Sequence, residues 1–244
     1  MVGNLLLRGM LVGVLAGIVA CAFAYLFGEP SVDLAIAFEE QAAKAAGEAA
    51  EPELISRAVQ STVGLLAGLV VFGAAIGGIF GLAFAFAQGR LGRLSPQAVA
   101  AVLAVAGFVV LILIPQLKYP ANPPAVGHAE TISIRTGMYF GLIGLSLLVG
   151  FATLAIGRRL VARYGGWNAT VAGTLIYLLV MAIVMQVLPS IDEVPEQFSA
   201  ALLWQFRIAT LGTHVVLWAT LGLVFGALSA RGSVRVSGPS PARR

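Results

Sequence analysis

Six stretches of this chain, residues 5–27, 62–87, 98–117, 136–157, 168–188 and 208–228, contain a single charged side chain between them, Arg8. Each is about 20 residues long, which as a helix spans the roughly 30 Å of a bilayer's hydrocarbon. Backbone placed in hydrocarbon must satisfy its own N–H and C=O groups, so segments of this kind are helical. Charged residues make up 11% of the chain, against roughly one quarter in a soluble domain, so water cannot be its only solvent. The expected fold class is all-α: a polytopic membrane helix bundle with six transmembrane helices. The fifth span, bounded by Gly165-Gly166 and Pro189, is no longer than the minimum but carries no charge. Arg8, an apolar run and Cys21 together resemble a cleaved signal or lipoprotein leader, but the run continues to Phe27 and is therefore expected to be a retained first helix.

The charges are divided by connector. Arg8, Arg90, Arg93, Arg158, Arg159, Arg163, Arg231, Arg235, Arg243 and Arg244 lie in segments without an acid. The acids fall in the alternate connectors: Glu29, Asp33, Glu39, Glu40, Glu48, Glu51 and Glu53 in the first, Glu130 in the second, and Asp192, Glu193 and Glu196 in the third. Cytoplasmic loops are enriched in Lys and Arg, so both termini are expected inside and the acidic loops outside. Residues 1–230 form one transmembrane domain in this reading, and 231–244 a disordered basic cytoplasmic tail.

Between spans 1 and 2, residues 31–46 predict an amphipathic outer helix with Leu34 and Phe38 on one stripe, stopped by Gly47 and Pro52. Lys118-Tyr119-Pro120-Ala121-Asn122-Pro123-Pro124 is too rich in proline for a helix and predicts a stiff extended loop. Glycines recur at helical spacing at 9, 13 and 17, at 64 and 68, at 73 and 77, at 137 and 141, and at 222 and 226. Such faces let helix backbones approach closely in lipid. They predict a tightly packed bundle, or helices thin enough to leave a path.

Candidate metal ligands are Glu29, Asp33, Glu39, Glu40 and His214. Glu29, Asp33 and Glu40 project from one side of a continuous helix, which makes either a solvated acidic face or a site of cation capture. Carboxylates alone suit hard ions, whereas cobalt or nickel recruits nitrogen ligands. His214 shares a helix face with Arg207 and Thr210, as a ligand or as polar glue between helices. Arg57, Arg135 and Arg207 stand on the outer side, each just before an even-numbered span. They are read as structural ion pairs with carboxylates of their own loops: Glu51 and Glu53, then Glu130, then Asp192, Glu193 and Glu196. The three hairpins are either variants of one unit or a case of interfacial snorkelling. No phosphate-binding glycine loop, zinc-protease helix, nucleophile elbow or CxxC is present, so neither an enzyme nor an ATPase is expected. The basic residues form no single patch, and nucleic acid is not expected as a partner.

The whole chain resembles the CbtA family of predicted cobalt transporter subunits. The resemblance is carried by Leu7-Arg8-Gly9-Met10, Gly28-Glu29-Pro30, Glu39-Glu40 and Glu53-Leu54-Ile55-Ser56-Arg57, and by the proline loop from Lys118 to Gly127. It continues in Gly165-Gly166-Trp167-Asn168, Glu193-Val194-Pro195-Glu196, Leu203-Trp204 and Phe206-Arg207. It implies uptake of divalent cobalt linked to cobalamin biosynthesis, in a bacterial inner membrane. The implied partner is a small single-span, histidine-rich subunit of the CbtB type, which would explain the scarcity of histidine here. No cofactor is implied, cobalt being the transported substrate, and the oligomeric state is left open, a homo-oligomer included. The rival readings are a transporter of another cation and a non-conducting assembly or sensor subunit.

Overall fold

The computed structural model describes residues 2–47, 54–92 and 94–236. Its elements are α1 (Val2–Phe27), α2 (Glu29–Ala46), α3 (Arg57–Ala87), α4 (Pro96–Lys118), α5 (Ile132–Val187) and α6 (Ala200–Val236). Among the described residues no strand occurs. Five of these helices are long and apolar enough to cross a membrane. The longest, α5, folds back on itself: Gly165 adopts φ 77°, ψ 163°, outside the helical region. Gly157 then lies against the Ala169 backbone and Gly173 against that of Thr153, so the limbs 132–164 and 166–187 run antiparallel. The chain is thus a multi-pass membrane protein.

Local chemistry sets the ends of the helices. Ser95 caps α4 by accepting the Ala98 N–H at 3.2 Å, with Pro96 following at the first helical position. Gly47 closes α2 in the left-handed conformation, its N–H donating to Ala43 and Lys44 carbonyls. Two helices carry one π-helical turn each, Gln60–Gly64 in α3 and Val109–Leu113 in α4.

The tightest contact joins α1 to α3. A Cβ on Gly9, Gly13 or Gly17 would strike the carbonyl of Gly77, Gly73 or Leu69, and one on Gly81 would strike that of Leu5. These antiparallel backbones therefore touch along three turns with no side chain between them, the arrangement that small residues make available in lipid. Other small-residue faces behave differently from the sequence expectation. Gly68, Gly137 and Gly141 meet open space, and a Cβ on Gly64 would meet only the Val59 carbonyl of its own helix, at 3.4 Å. The five-residue step from Gly68 to Gly73 turns the face by about 140° at 3.6 residues per turn, so the two glycine pairs of α3 cannot serve the same neighbour.

Around this pair, α4 and α6 complete one core in which Leu217, Leu221 and Phe225 are buried with Phe80, Phe84 and Val99. Gly222 and Gly226 of α6 admit Ala104 and Ala100 of α4, and Gly107 admits the Trp218 ring. The α5 hairpin has a separate core, Leu142, Tyr177 and Met181 against Ile114 and Tyr119, confined to the C-terminal half of α4. Helix α6 continues to Val236, and the tail beyond it lies outside the described residues.

Candidate functional site

All three acidic connectors meet at one end of the bundle. Helix α2 follows α1 with only Gly28 between them and lays Ala35 and Phe38 onto the other two connectors. Ala35 is fully buried with Val126 of the proline loop and Phe198 of the third connector, and the Phe38 and Phe198 rings meet edge to face at 5.1 Å. The small side chain at Ala35 lets α2 lie this close. Leu34, expected on the buried stripe, is 59% exposed instead. The proline loop is irregular as predicted, ending in a turn in which Val126 donates to the Pro123 carbonyl. Lys118 donates to Ser190 and the Tyr119 hydroxyl to the Pro189 carbonyl, joining the second connector to the third.

Arginines bind this cap together, with partners different from those the sequence suggested. Arg57 pairs with Glu29, and its Nε donates to Asp33 at 2.9 Å. Its expected partners, Glu51 and Glu53, lie outside the described residues. Arg135 passes over nearby Glu130 and takes Glu193 of the third connector, with Nε 3.5 Å from Oε2, while donating to the His128 carbonyl. Among the described residues Arg207 binds no loop carboxylate directly: it donates to the Ala121 carbonyl and to Asn122 Oδ1 at 3.3 and 3.0 Å. The reason is geometric. For Arg135 and Arg207 the connectors cross over the bundle mouth, so the acceptor each takes belongs to a different loop from the nearest carboxylate in sequence, whereas Arg57 stays within its own connector.

Glu193, read from the sequence as a candidate partner of Arg207, serves Arg135 instead. It accepts the His128 N–H and the Thr131 hydroxyl, both at 2.8 Å. The His128 backbone hydrogen bond is the largest influence holding its carboxyl below the usual glutamate range, with Thr131 and Arg135 adding to it. Gly127 (φ 109°) is its silent companion, since a Cβ there would collide with the Arg135 guanidinium. In the sequence Glu193 stood as a candidate partner of Arg207 and within a resembling motif, and Gly127 only within the proline loop.

The candidate ligands divide into separate environments. Glu29 and Asp33 are engaged by Arg57. Glu40 faces Lys44 one turn on at 3.9 Å, both well exposed, and Glu39 is exposed beside it. His214 lies within α6 with its ring edge-on to Phe72 at 6.1 Å, and among the described residues its buried Nδ1 has no hydrogen-bond partner. Among the described residues no three His, Cys, Asp or Glu side chains come together as a metal cage.

Within the span region the main polar feature is a seam where α5 meets α4. Ser146 Oγ donates to the Val110 carbonyl at 2.7 Å and contacts the Tyr177 hydroxyl at 2.7 Å. One serine proton cannot serve both bonds, so Tyr177 donates to Ser146. Val110 belongs to the π turn of α4, where the shift in backbone hydrogen bonding leaves a carbonyl to be satisfied from outside the helix.

A profile of the family described as "Probable cobalt transporter subunit (CbtA)" matches residues 2–230, nearly the entire chain. The chain belongs to the CbtA family. No curated protein and no solved structure matches it. For this CbtA chain, the family covers every element from α1 to α5 and nearly all of α6, so the acidic cap, the arginine ties and the α5 hairpin all fall within the matched region. Membership makes it a transporter subunit by family description and gives cobalt as the associated substrate.

Proposed function

We propose that this chain is the membrane-spanning subunit of an importer of divalent cobalt that feeds cobalamin biosynthesis in a bacterial inner membrane. The observation that carries the reading is the family match along residues 2–230. In this reading the chain crosses six times, with the two limbs of α5 as spans four and five, and both termini are cytoplasmic. Alternation of basic and acidic connectors supports that orientation. The acidic cap concentrates cations at the outer surface, and Glu29, Asp33, Glu39 and Glu40 supply its charge. Oxygen donors alone discriminate poorly in favour of cobalt, which is why a histidine-rich single-span subunit is the proposed partner. No ATPase motif was found in the sequence, so uptake is passive or gradient-driven unless another chain supplies the energy. The chain has no catalytic role in this scheme.

The test is accumulation of cobalt, nickel and an organic cation in cells expressing the chain with its partner, against cells lacking it. Cobalt accumulates only with the chain present if the proposal is right. Glu39→Gln with Glu40→Gln, which leaves the Arg57 pairs intact, should lower the initial rate several-fold at equal expression. An unchanged rate would reduce these carboxylates to a topology signal. A second reading, a non-conducting assembly or sensor subunit, draws support from the engagement of Glu29 and Asp33 by Arg57, and predicts no uptake of any cation under the same conditions.

A further inference from the structure

At the basic end of the molecule a groove runs between α1 and α6. Its walls are Leu11 and Leu15 on one side and Val224 and Leu228 on the other, with Asn4 and Arg8 at its mouth, and it holds about 530 Å³. That volume falls within the range of sites for drug-sized ligands, about 300–1,000 Å³. From Asn4 to Leu15 the groove follows α1 for about 16 Å at 1.5 Å per residue, close to the roughly 15 Å thickness of one leaflet's hydrocarbon. Its walls are apolar and parallel to the direction in which acyl chains lie.

The mouth differs from the groove in charge. Arg8 reaches across to α6 and donates from Nη1 to the Leu228 carbonyl and Ser229 hydroxyl, both at 3.4 Å. Among the described residues no carboxylate pairs with it, whereas Arg57 and Arg135 at the opposite end are both paired with acids. A guanidinium offers five donors in a planar fork that matches phosphate. Arg231 follows Val224 and Leu228 on the same face of α6, adding a second positive charge one turn beyond the groove.

We propose that this groove is a binding site for an anionic phospholipid, one acyl chain lying between α1 and α6 and the phosphate held by Arg8, with Asn4 beside it. The site requires only that the chain be in a bilayer, so it stands or falls separately from cobalt transport. The probe is phosphatidylglycerol against phosphatidylcholine of identical acyl chains, added to the full chain purified in detergent and read by native mass spectrometry and thermal unfolding. Wild type should retain one phosphatidylglycerol and rise in Tm, with little response to phosphatidylcholine. Arg8→Gln should weaken that retention about tenfold, while Arg90→Gln, at the same end but outside the groove, should not. Leu11→Trp, at a 62% exposed position, fills the groove and should reduce retention with Arg8 intact. Equal retention of the two lipids by wild type would overturn the proposal. So would phosphatidylglycerol binding unchanged in Arg8→Gln, or in Leu11→Trp if the arginine variant cannot be purified. A Tm rise reproduced in full by inorganic phosphate would overturn the lipid assignment.

Discussion

Arg57 occupies the place between Glu29 and Asp33 that a cation attracted to those acids would take, and Glu29 and Arg57 are themselves only 13% and 27% exposed. Fully exposed pairs contribute about 0–1 kcal/mol and buried ones broken from one side cost about 3–5 kcal/mol, so Arg57→Gln should cost about 1–3 kcal/mol. Thermal unfolding of Arg57→Gln, Glu29→Gln and the double variant checks this. The double should be less destabilised than the sum of the singles, and strict additivity would mean that the pair contributes nothing. Glu193 gives a pH signature at the same scale. Its carboxyl, held down first by the His128 N–H, contributes stability that is complete above the unfolded value of about 4.3. That contribution is lost as pH falls through the lower folded value. Melting curves from pH 7 to pH 3.5 should therefore show a steeper acid loss for wild type than for Glu193→Gln. The presence of these groups was legible in the sequence, but their pairing was not. Local order suggests Glu130 for Arg135, five residues away, and only the crossing of the connectors delivers Glu193 instead. Asn122 was visible within the proline loop, yet nothing local distinguishes it as the acceptor for Arg207.

Helices were the most legible elements, because hydrocarbon permits few alternatives: all six apolar windows lie in helix, and Gly165 supplies the reversal that Gly165-Gly166 suggested. What the windows could not show was which small-residue faces are used. Glycine spacing is identical at 9 and 13, where a Cβ would strike backbone, and at 137 and 141, where it would meet nothing within 4 Å. Gly13→Ala should therefore cost about 1–3 kcal/mol through overpacking, whereas Gly141→Ala should be neutral or stabilising by up to about 1 kcal/mol from helix propensity. Thermal unfolding of the two variants in the same detergent compares them directly, and equal losses would contradict the α1–α3 interlock. The π turns escaped the sequence reading as well, since 60–64 and 109–113 have ordinary apolar or mildly polar compositions.

For the whole molecule, segregation of charge was readable from the connectors alone, and the convergence of α2, the proline loop and the third connector on one buried cluster agrees with it. Orientation in the bilayer is testable in a Cys21→Ala background. Leu54 is 97% exposed at the acidic end, and Gln88 is exposed at the basic end. An impermeant thiol reagent on intact cells should label Leu54→Cys and spare Gln88→Cys, and the reverse would invert the topology. The two cores differ in mechanical character. The interlocked α1 and α3 backbones behave as a stiff post, while the α5 hairpin is attached mainly along the half of α4 that leads to the acidic end. That makes the hairpin a lever pinned near Ser146 and Tyr177, with a free arm of about 18–28 Å to the Gly165 turn. Swinging it by about 10° would carry that turn through about 3–5 Å, so a slight adjustment among the arginine ties at one surface would become a larger displacement at the other.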